Sequence, residues 1–501
     1  MKRRDFLTAA SASLLPVMLN GFGLKAMSRQ SVLVQSLLGT TALASDRVLV
    51  IIYLNGGNDG LNMVIPRDQY SLYNGLRSNI AIPEGAILGL DGNPATGLHP
   101  AMTGLRDLYN NGKLSILHSV SYPNPDQSHY RATDIWMTAV DANQTSNSGW
   151  AGRYLENQFP GYPAGYPNAQ MEDPLAIQIG YLTSTALLGS QQSMGIALSD
   201  PNSFYQLVGS GNGTSPGDLP CCDAGDLVAF IRKQQALSVG YASEIKKAAD
   251  AGQNLAAYPD ATAKNSLADQ LKIVARLIHG GLKTKIYFVS LSGFDTHSGQ
   301  VDTDVTQGTH ATLLGKLSTA VATFQQDLKL QGTEDRVVGM TFSEFGRRAN
   351  SNNSKGTDHG VAAPMFVFGN GLKHRTIGQN PDLANLIGQS GSKEIGMQID
   401  FRRVYSDILN DWFGTAHATT NSLLFREFPT VSLFSDTIET VASGNWKDKN
   451  VWTVGRMPFA NELVKVNAGH TMTVDQTIMV KNIRLEGKLN FTGPYSIKMT
   501  G

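Results

Sequence analysis

An α/β fold with a mostly parallel sheet sandwiched by helices, followed by a small C-terminal all-β segment, is the architecture this sequence predicts. Three observations carry it. Apolar runs of strand length recur from residue 46 to about 440, among them Val48 to Leu54, Leu114 to Val120, Lys285 to Phe294 and Arg336 to Gly346. They are continuous rather than alternating, as strands buried on both faces require. Between the last two runs Leu313, Leu314, Leu317, Val321, Phe324 and Leu328 share one helical face, so strand, helix and strand form a crossover unit.

The first 44 residues read as an address rather than as fold. Lys2, Arg3 and Arg4 precede Asp5, Phe6 and Leu7, a moderately apolar stretch follows, and Ala42-Leu43-Ala44 offers a small-residue cleavage site. Paired arginines and a weakly apolar core fit the twin-arginine export route. Pro16, Gly21, Gly23 and Lys25 keep the stretch short of the ~20 apolar residues of a spanning helix. The expectation is a signal peptide over 1–44, a periplasmic or secreted mature chain without a transmembrane segment, and an α/β domain over 45–440.

The elements then follow in order. The run ending at Leu54 leads into NGGNDG, which holds Asp59, and LHPAM places His99 before a helix from Ala101 to Asn110. Leu114 to Val120 leads to Ser128 and His129, at the start of a helix running through Trp136. Leu175 to Gly180 and Met194 to Ser199 are two short strands, and Cys221 and Cys222 are an adjacent pair in a loop, open to a strained disulfide, a soft metal or no role at all, and carry no catalysis. The run from Lys285 ends on Asp295 and His297. The run from Arg336 presents Glu344 with Arg347 and Arg348, and the loop GTDHG then supplies Asp358 and His359 before a strand from Pro364 to Gly369.

Over 441–501 the period changes to two. Val464 and Val466, Met472 and Val474, and Ile483 and Leu485 alternate with polar residues between Gly and Asn turns, the pattern of short strands. This segment resembles the opening of a secreted β-solenoid or carbohydrate-associated β module.

Charge excludes one class of partner. Lys plus Arg and Asp plus Glu both number 41, so no net field invites nucleic acid. The 51 glycines predict long, tightly turned loops. Four of the apolar runs end in carboxylates, imidazoles or a serine, and in open α/β sheets ligands bind in the crevice outside the strands' carboxyl ends. Carboxylates and imidazoles together point to a divalent metal, zinc, manganese or calcium, rather than to a nucleotide.

RRDFL, YLNGGNDGLNMVIP, LHPAM, SHYRATDIW, GWAGRYL, FDTHSGQ, SEFGRR, TDHG and MQIDFRRVYSDIL, in that order, resemble an exported bacterial family of unknown function within the alkaline phosphatase and sulfatase superfamily. The resemblance covers most of residues 1 to about 430. It implies an alkaline phosphatase-like fold and a metal-dependent hydrolase of phosphate or sulfate esters, acting on a small-molecule or glycan ester. It also implies roles: Asp59, Asp358 and His359 on one metal, Asp295 and His297 on a second, and Ser128 as nucleophile. The Asp295 and His297 spacing departs from the superfamily's, with only Thr296 between them, and no third histidine for the second metal is evident.

Chemistry adds further candidates. Glu344 would ligate metal or orient His359, Arg347 and Arg348 would clamp ester oxygens, and His99 or His129 would serve as general acid or as replacement ligands. Each residue also has a purely structural use: Asp59 as a turn former, Ser128 as a helix N-cap, His99 as a loop residue, and the arginines as solvated charges. The alternative function is a non-catalytic exported envelope protein of the same fold, binding a glycan or protein partner through its β segment.

Overall fold

A computed structural model describes residues 17–19, 22–24, 47–169, 171–209, 239–388, 392–434, 438–452, 457–458, 463–480 and 482–499. The signal peptide expected over 1–44 lies outside the described residues, apart from an antiparallel pairing of Val17–Leu19 with Phe22–Leu24. Cys221 and Cys222 lie outside them too.

Nine strands form the main sheet: β1 (Val48–Asn55), β2 (Leu114–Ser121), β3 (Ala176–Ile179), β4 (Ile196–Leu198), β5 (Ile286–Ser292), β6 (Val337–Phe342), β7 (Ala363–Gly369), β8 (Thr376–Ile377) and β9 (Ile399–Asp400). Their order is β8, β2, β7, β6, β1, β5, β3, β4, with β9 also on β2. All pairings are parallel except those of β7 with β6 and β2. β1 lies at the centre and is buried from Val48 to Leu54, as its unbroken run of Val, Leu and Ile requires.

Helices cover the sheet: α1 (Thr103–Asn110), α2 (His129–Thr138), α3 (Trp150–Gln158), α4 (Ser266–His279), α5 (Thr309–Leu330) and α6 (Phe401–Asp407). α5 is the crossover between β5 and β6, which flank β1, and the face from Leu313 to Leu328 is buried against the core as its period predicts.

This topology decides what meets at one edge. Ser292 pairs with Asn55 and Phe342 with Tyr53, so β1, β5 and β6 end side by side. β7 runs the other way, with Ala363 opposite Val120 near the end of β2. Its amino end therefore lies on the edge where the parallel strands have their carboxyl ends. The loops after β1, β2, β5 and β6, and the loop before β7, are thereby gathered together.

Ser435–Gly501 packs separately from Arg47–Phe434. It is a coil of parallel strands, in which Val464 pairs with Ile483, Met472 with Leu489 and Ile478 with Ile497. Its own core holds Trp446, Trp452, Val464, Val466, Met472, Val474, Val480 and Ile483. Apart from the two tryptophans, these are the inward positions of the two-residue period. Among the described residues no helix is long and apolar enough to cross a membrane.

Candidate metal centre

Three imidazoles converge on one carboxylate at the gathered edge. The Nε2 atoms of His129, His297 and His359 lie 3.5, 3.3 and 3.5 Å from the carboxylate oxygens of Asp295. The rings face one another, with His359 4.7 Å from His129 and 4.6 Å from His297 between centroids.

Each element delivers its residue for a local reason. β5 ends at Ser292, and Gly293 at φ +113 turns the chain so that Asp295 and His297 follow at once. Gly56 permits the approach of the neighbouring loop: at φ +127, a Cβ there would stand 2.3 Å from the Asp295 nitrogen. His129 opens α2, and His359 lies in a two-residue strand, His359–Gly360, paired with Gly346–Arg347.

The opposite ring nitrogens are all tied to oxygen. His129 Nδ1 lies 2.7 Å from Glu344 Oε1, His359 Nδ1 lies 2.9 Å from the Gln127 carbonyl, and His297 Nδ1 lies 3.4 Å from Asp358 Oδ1. An acceptor at Nδ1 fixes the tautomer that leaves a lone pair on Nε2, the arrangement found around metal-ligating histidines. His359 Nε2 is buried with no hydrogen-bond partner, a group that costs free energy unless something takes its lone pair. A divalent cation fits that requirement.

Glu344 is fully buried and accepts from the Gly56 N–H at 2.9 and 3.2 Å, so it anchors His129 rather than facing the cluster itself. Arg347 is likewise buried. Its guanidinium donates to the carbonyls of Gly57, Thr357, Gly56 and Phe294 and to Asp295 Oδ1 at 2.6 Å. With its donors committed, Arg347 is a brace for the loops and for Asp295, not the expected clamp on ester oxygens. Arg348 is partly exposed and lies 3.5 Å from Asp358. Burial pushes the Asp295 carboxyl up, but the hydrogen bond and charge of Arg347, with His297 and His129, outweigh it and hold it below the usual range. The same balance, with Asn352, His297 and Arg348 as the opposing partners, lowers Asp358. Burial, with the charges of Arg347 and the two neighbouring histidines, lowers His359.

Two expected site residues stand apart. Asp59 is 1% exposed, and both its oxygens accept from Arg77 Nη1, at 2.8 and 2.7 Å, while Gln300 Nε2 donates at 2.6 Å. It is neutralised by a guanidinium instead of joining the cluster. His99 is buried, accepts from the Ala101 N–H at 3.1 Å, and lies 6.3 Å from His310 between ring centroids. Burial, helped by His310, pushes its pKa down to about 3, so near neutrality it has no proton on Nδ1 to donate as a general acid.

Ser128 occupies the N-cap position of α2 and is exposed, but its side chain makes no capping hydrogen bond. The purely structural use foreseen for it is therefore not exercised. A polar cleft of about 510 Å³ lies elsewhere, lined by residues including Asp68, Asn93, His118, Gln379 and Asn380, and holds no member of the cluster.

Residues 224–413 match the family described as a protein of unknown function, DUF1501. The DUF1501 segment carries Asp295, His297, Glu344, Arg347, Asp358 and His359, whereas Ser128 and His129 come from the chain before it. Similar solved structures include a sulfatase from a Pseudoalteromonas species, at 11% identity over 80% of this chain and 75% of that chain, with a TM-score of 0.33. A protein in the alkaline phosphatase superfamily from Vibrio parahaemolyticus is 11% identical over 67% of this chain and 63% of that one, with a TM-score of 0.30. A lipoteichoic acid synthase from Listeria monocytogenes is 10% identical over 71% and 75%, with a TM-score of 0.30. No curated protein matches the sequence.

Proposed function

We propose that this protein is an exported, metal-dependent hydrolase of phosphate or sulfate esters, small-molecule or glycan. The observation that carries the reading is the convergence of three imidazole Nε2 atoms on Asp295 with every Nδ1 tied to oxygen. His129, His359 and Asp295, whose ligand atoms all lie within 4.8 Å of one another, would hold the ion with His297 closing in beside them, so His129 serves as a ligand rather than as the general acid. When bound, a divalent ion at such a site acts as a Lewis acid toward ester oxygen and makes a nucleophile available at neutral pH.

The chain's own groups do the rest. Glu344, Gln127 and Asp358 orient the imidazoles, and Arg347 braces Asp295. Ser128 offers its hydroxyl at the amino end of α2, where free backbone N–H groups favour an anionic oxygen. In this reading Oγ attacks phosphorus or sulfur and releases its proton to solvent. The ester oxygen's bond breaks, the alcohol leaves with a proton, and water then cleaves the seryl ester. The twin-arginine pattern of residues 1–44 supports export to the periplasm or outside the cell.

The test is hydrolysis of a panel of phosphate and sulfate esters by signal-cleaved protein, with chelator, His359→Ala and Ser128→Ala as controls. Turnover abolished by chelator and by both substitutions supports the reading. Turnover that survives Ser128→Ala transfers the nucleophile to water. Folded, metal-loaded protein that cleaves no ester removes the hydrolase assignment in favour of a binding role.

A further inference from the structure

Two carboxylates that both end strands of the central sheet are treated in opposite ways, and the difference bears on how many ions the site takes and of what kind. Asp295 faces three imidazoles with their Nε2 atoms toward it. Asp59 faces Arg77, which is fully buried. Arg77 also donates from Nε to the Ala349 carbonyl at 2.8 Å and from Nη2 to the Arg348 carbonyl at 2.7 Å, while Nη1 reaches Asn62 Oδ1 at 3.1 Å. A guanidinium keeps its charge at every accessible pH, and its planar fork is committed here to backbone on one side and carboxylate on the other.

Resting on the metal reading above, we propose that the centre takes a single zinc-class ion on His129, His297, His359 and Asp295, and that Arg77 is the permanent second cation that keeps Asp59 out of metal ligation. The donor set argues for the kind of ion. Three neutral imidazoles and one carboxylate suit zinc and its transition-metal neighbours, whereas calcium and magnesium demand shells of oxygen. Arg347 already occupies Asp295 Oδ1, which favours a monodentate carboxylate and keeps a coordination position open for an ester oxygen. The saturation of Asp59 argues for the number. An ion there would have to expel a buried guanidinium from two backbone carbonyls and leave it unpaired in a dry pocket, which is strongly unfavourable.

Arg77 thereby also ties the loop after β1 to the chain at Arg348 and Ala349, next to the strand that pairs with His359. The second positive charge is built in covalently and is not exchangeable.

Metal counting tests this without reference to activity. Signal-cleaved protein is stripped with chelator, reloaded with zinc, cobalt, calcium or magnesium, dialysed, and analysed by plasma mass spectrometry, with the visible absorption of the cobalt form recorded. One zinc or one cobalt per chain is expected, with no calcium or magnesium retained and with loss of the ion in folded His297→Ala and His359→Ala. Asp59→Asn is expected to keep one ion; if it does not fold, the wild-type count alone decides. Two ions per chain, retention of calcium or magnesium, or loss of the ion in folded Asp59→Asn overturns the proposal while leaving a metal centre in place. No ion in the folded wild type removes the metal reading itself.

Discussion

The histidine cluster around Asp295 and the pocket around Asp59 are joined through Arg347, which holds Gly57 by its carbonyl and Asp295 by its carboxylate. The first is unfinished as protein chemistry. Nitrogen lone pairs point inward, one of them is buried without a partner, and the carboxylate at the centre is half exposed. The second is complete, with its carboxylate oxygens accepting from guanidinium and amide and its surroundings dry. In the metal reading proposed above, the contrast separates a site that receives an ion from a site that holds the fold, although both present an aspartate just past a central strand. Residue type alone does not distinguish them; the state of the partners does.

The largest effect that would sharpen this contrast lies in the completed pocket. Arg77→Met leaves Asp59 charged and unpaired in a dry environment, and is expected to cost about 3–5 kcal/mol in urea unfolding. The double variant Arg77→Met with Asp59→Leu should recover much of that loss. If Arg77→Met proves as stable as wild type, Asp59 is not held by the pair and the contrast breaks. A moderate effect is expected at the unfinished site. Glu344→Gln retains a side chain of the same shape but weakens the hold on His129 Nδ1, and should lower zinc affinity about 10–100-fold in a competition titration. An unchanged affinity would deny His129 its place among the ligands.

The smallest effect comes from a third way of treating a buried acid. Asp407, on α6, accepts from the Val431 and Leu433 N–H groups and has no cation paired with it among the described residues, and burial together with the Asp411 charge pushes its pKa up to about 7. Its folded-state pKa thus exceeds the unfolded value near 3.8. The unfolded chain gives up this proton first, so the contribution is full below about pH 4 and is lost as pH rises toward 7. Wild-type stability should fall across that window relative to Asp407→Asn, in denaturant titrations at several pH values. Parallel curves would show that Asp407 ionises normally. Asp59, with Arg77 beside it, goes the other way: burial raises it, yet the guanidinium charge and hydrogen bonds hold it below the usual range.

Much of the architecture was legible because it depends on local pattern. The unbroken apolar runs marked β1, β2, β5 and β6, the one-sided face from Leu313 to Leu328 marked the crossover helix, and period two marked the parallel coil after residue 438. The strand-end rule located Asp295, His297, Glu344 and His359 together because chain position and site position coincide there. It left other roles open or put them elsewhere. His129 reads equally as a general acid or as a replacement ligand until the Nε2 atoms of His297 and His359 are seen across from it. Arg347 reads as a free clamp until its donors are found on four carbonyls. Asp59 reads as a ligand because nothing near it in the chain announces Arg77, which arrives from the end of the helix Tyr70–Arg77.

By itself the sequence determined the fold class, the change of texture near residue 440 and the inventory of groups able to bind a cation, since each follows from periodicity and residue chemistry along the chain. Tertiary structure alone decided which carboxylate is spoken for. Reversal of β7 brings His359 to the edge where β5 delivers His297, and burial gives Asp59 an arginine instead of an ion. Ligand sets and ion pairs are made between segments far apart in the chain, and a dry environment lets a single well-placed partner settle which of two similar residues stays open.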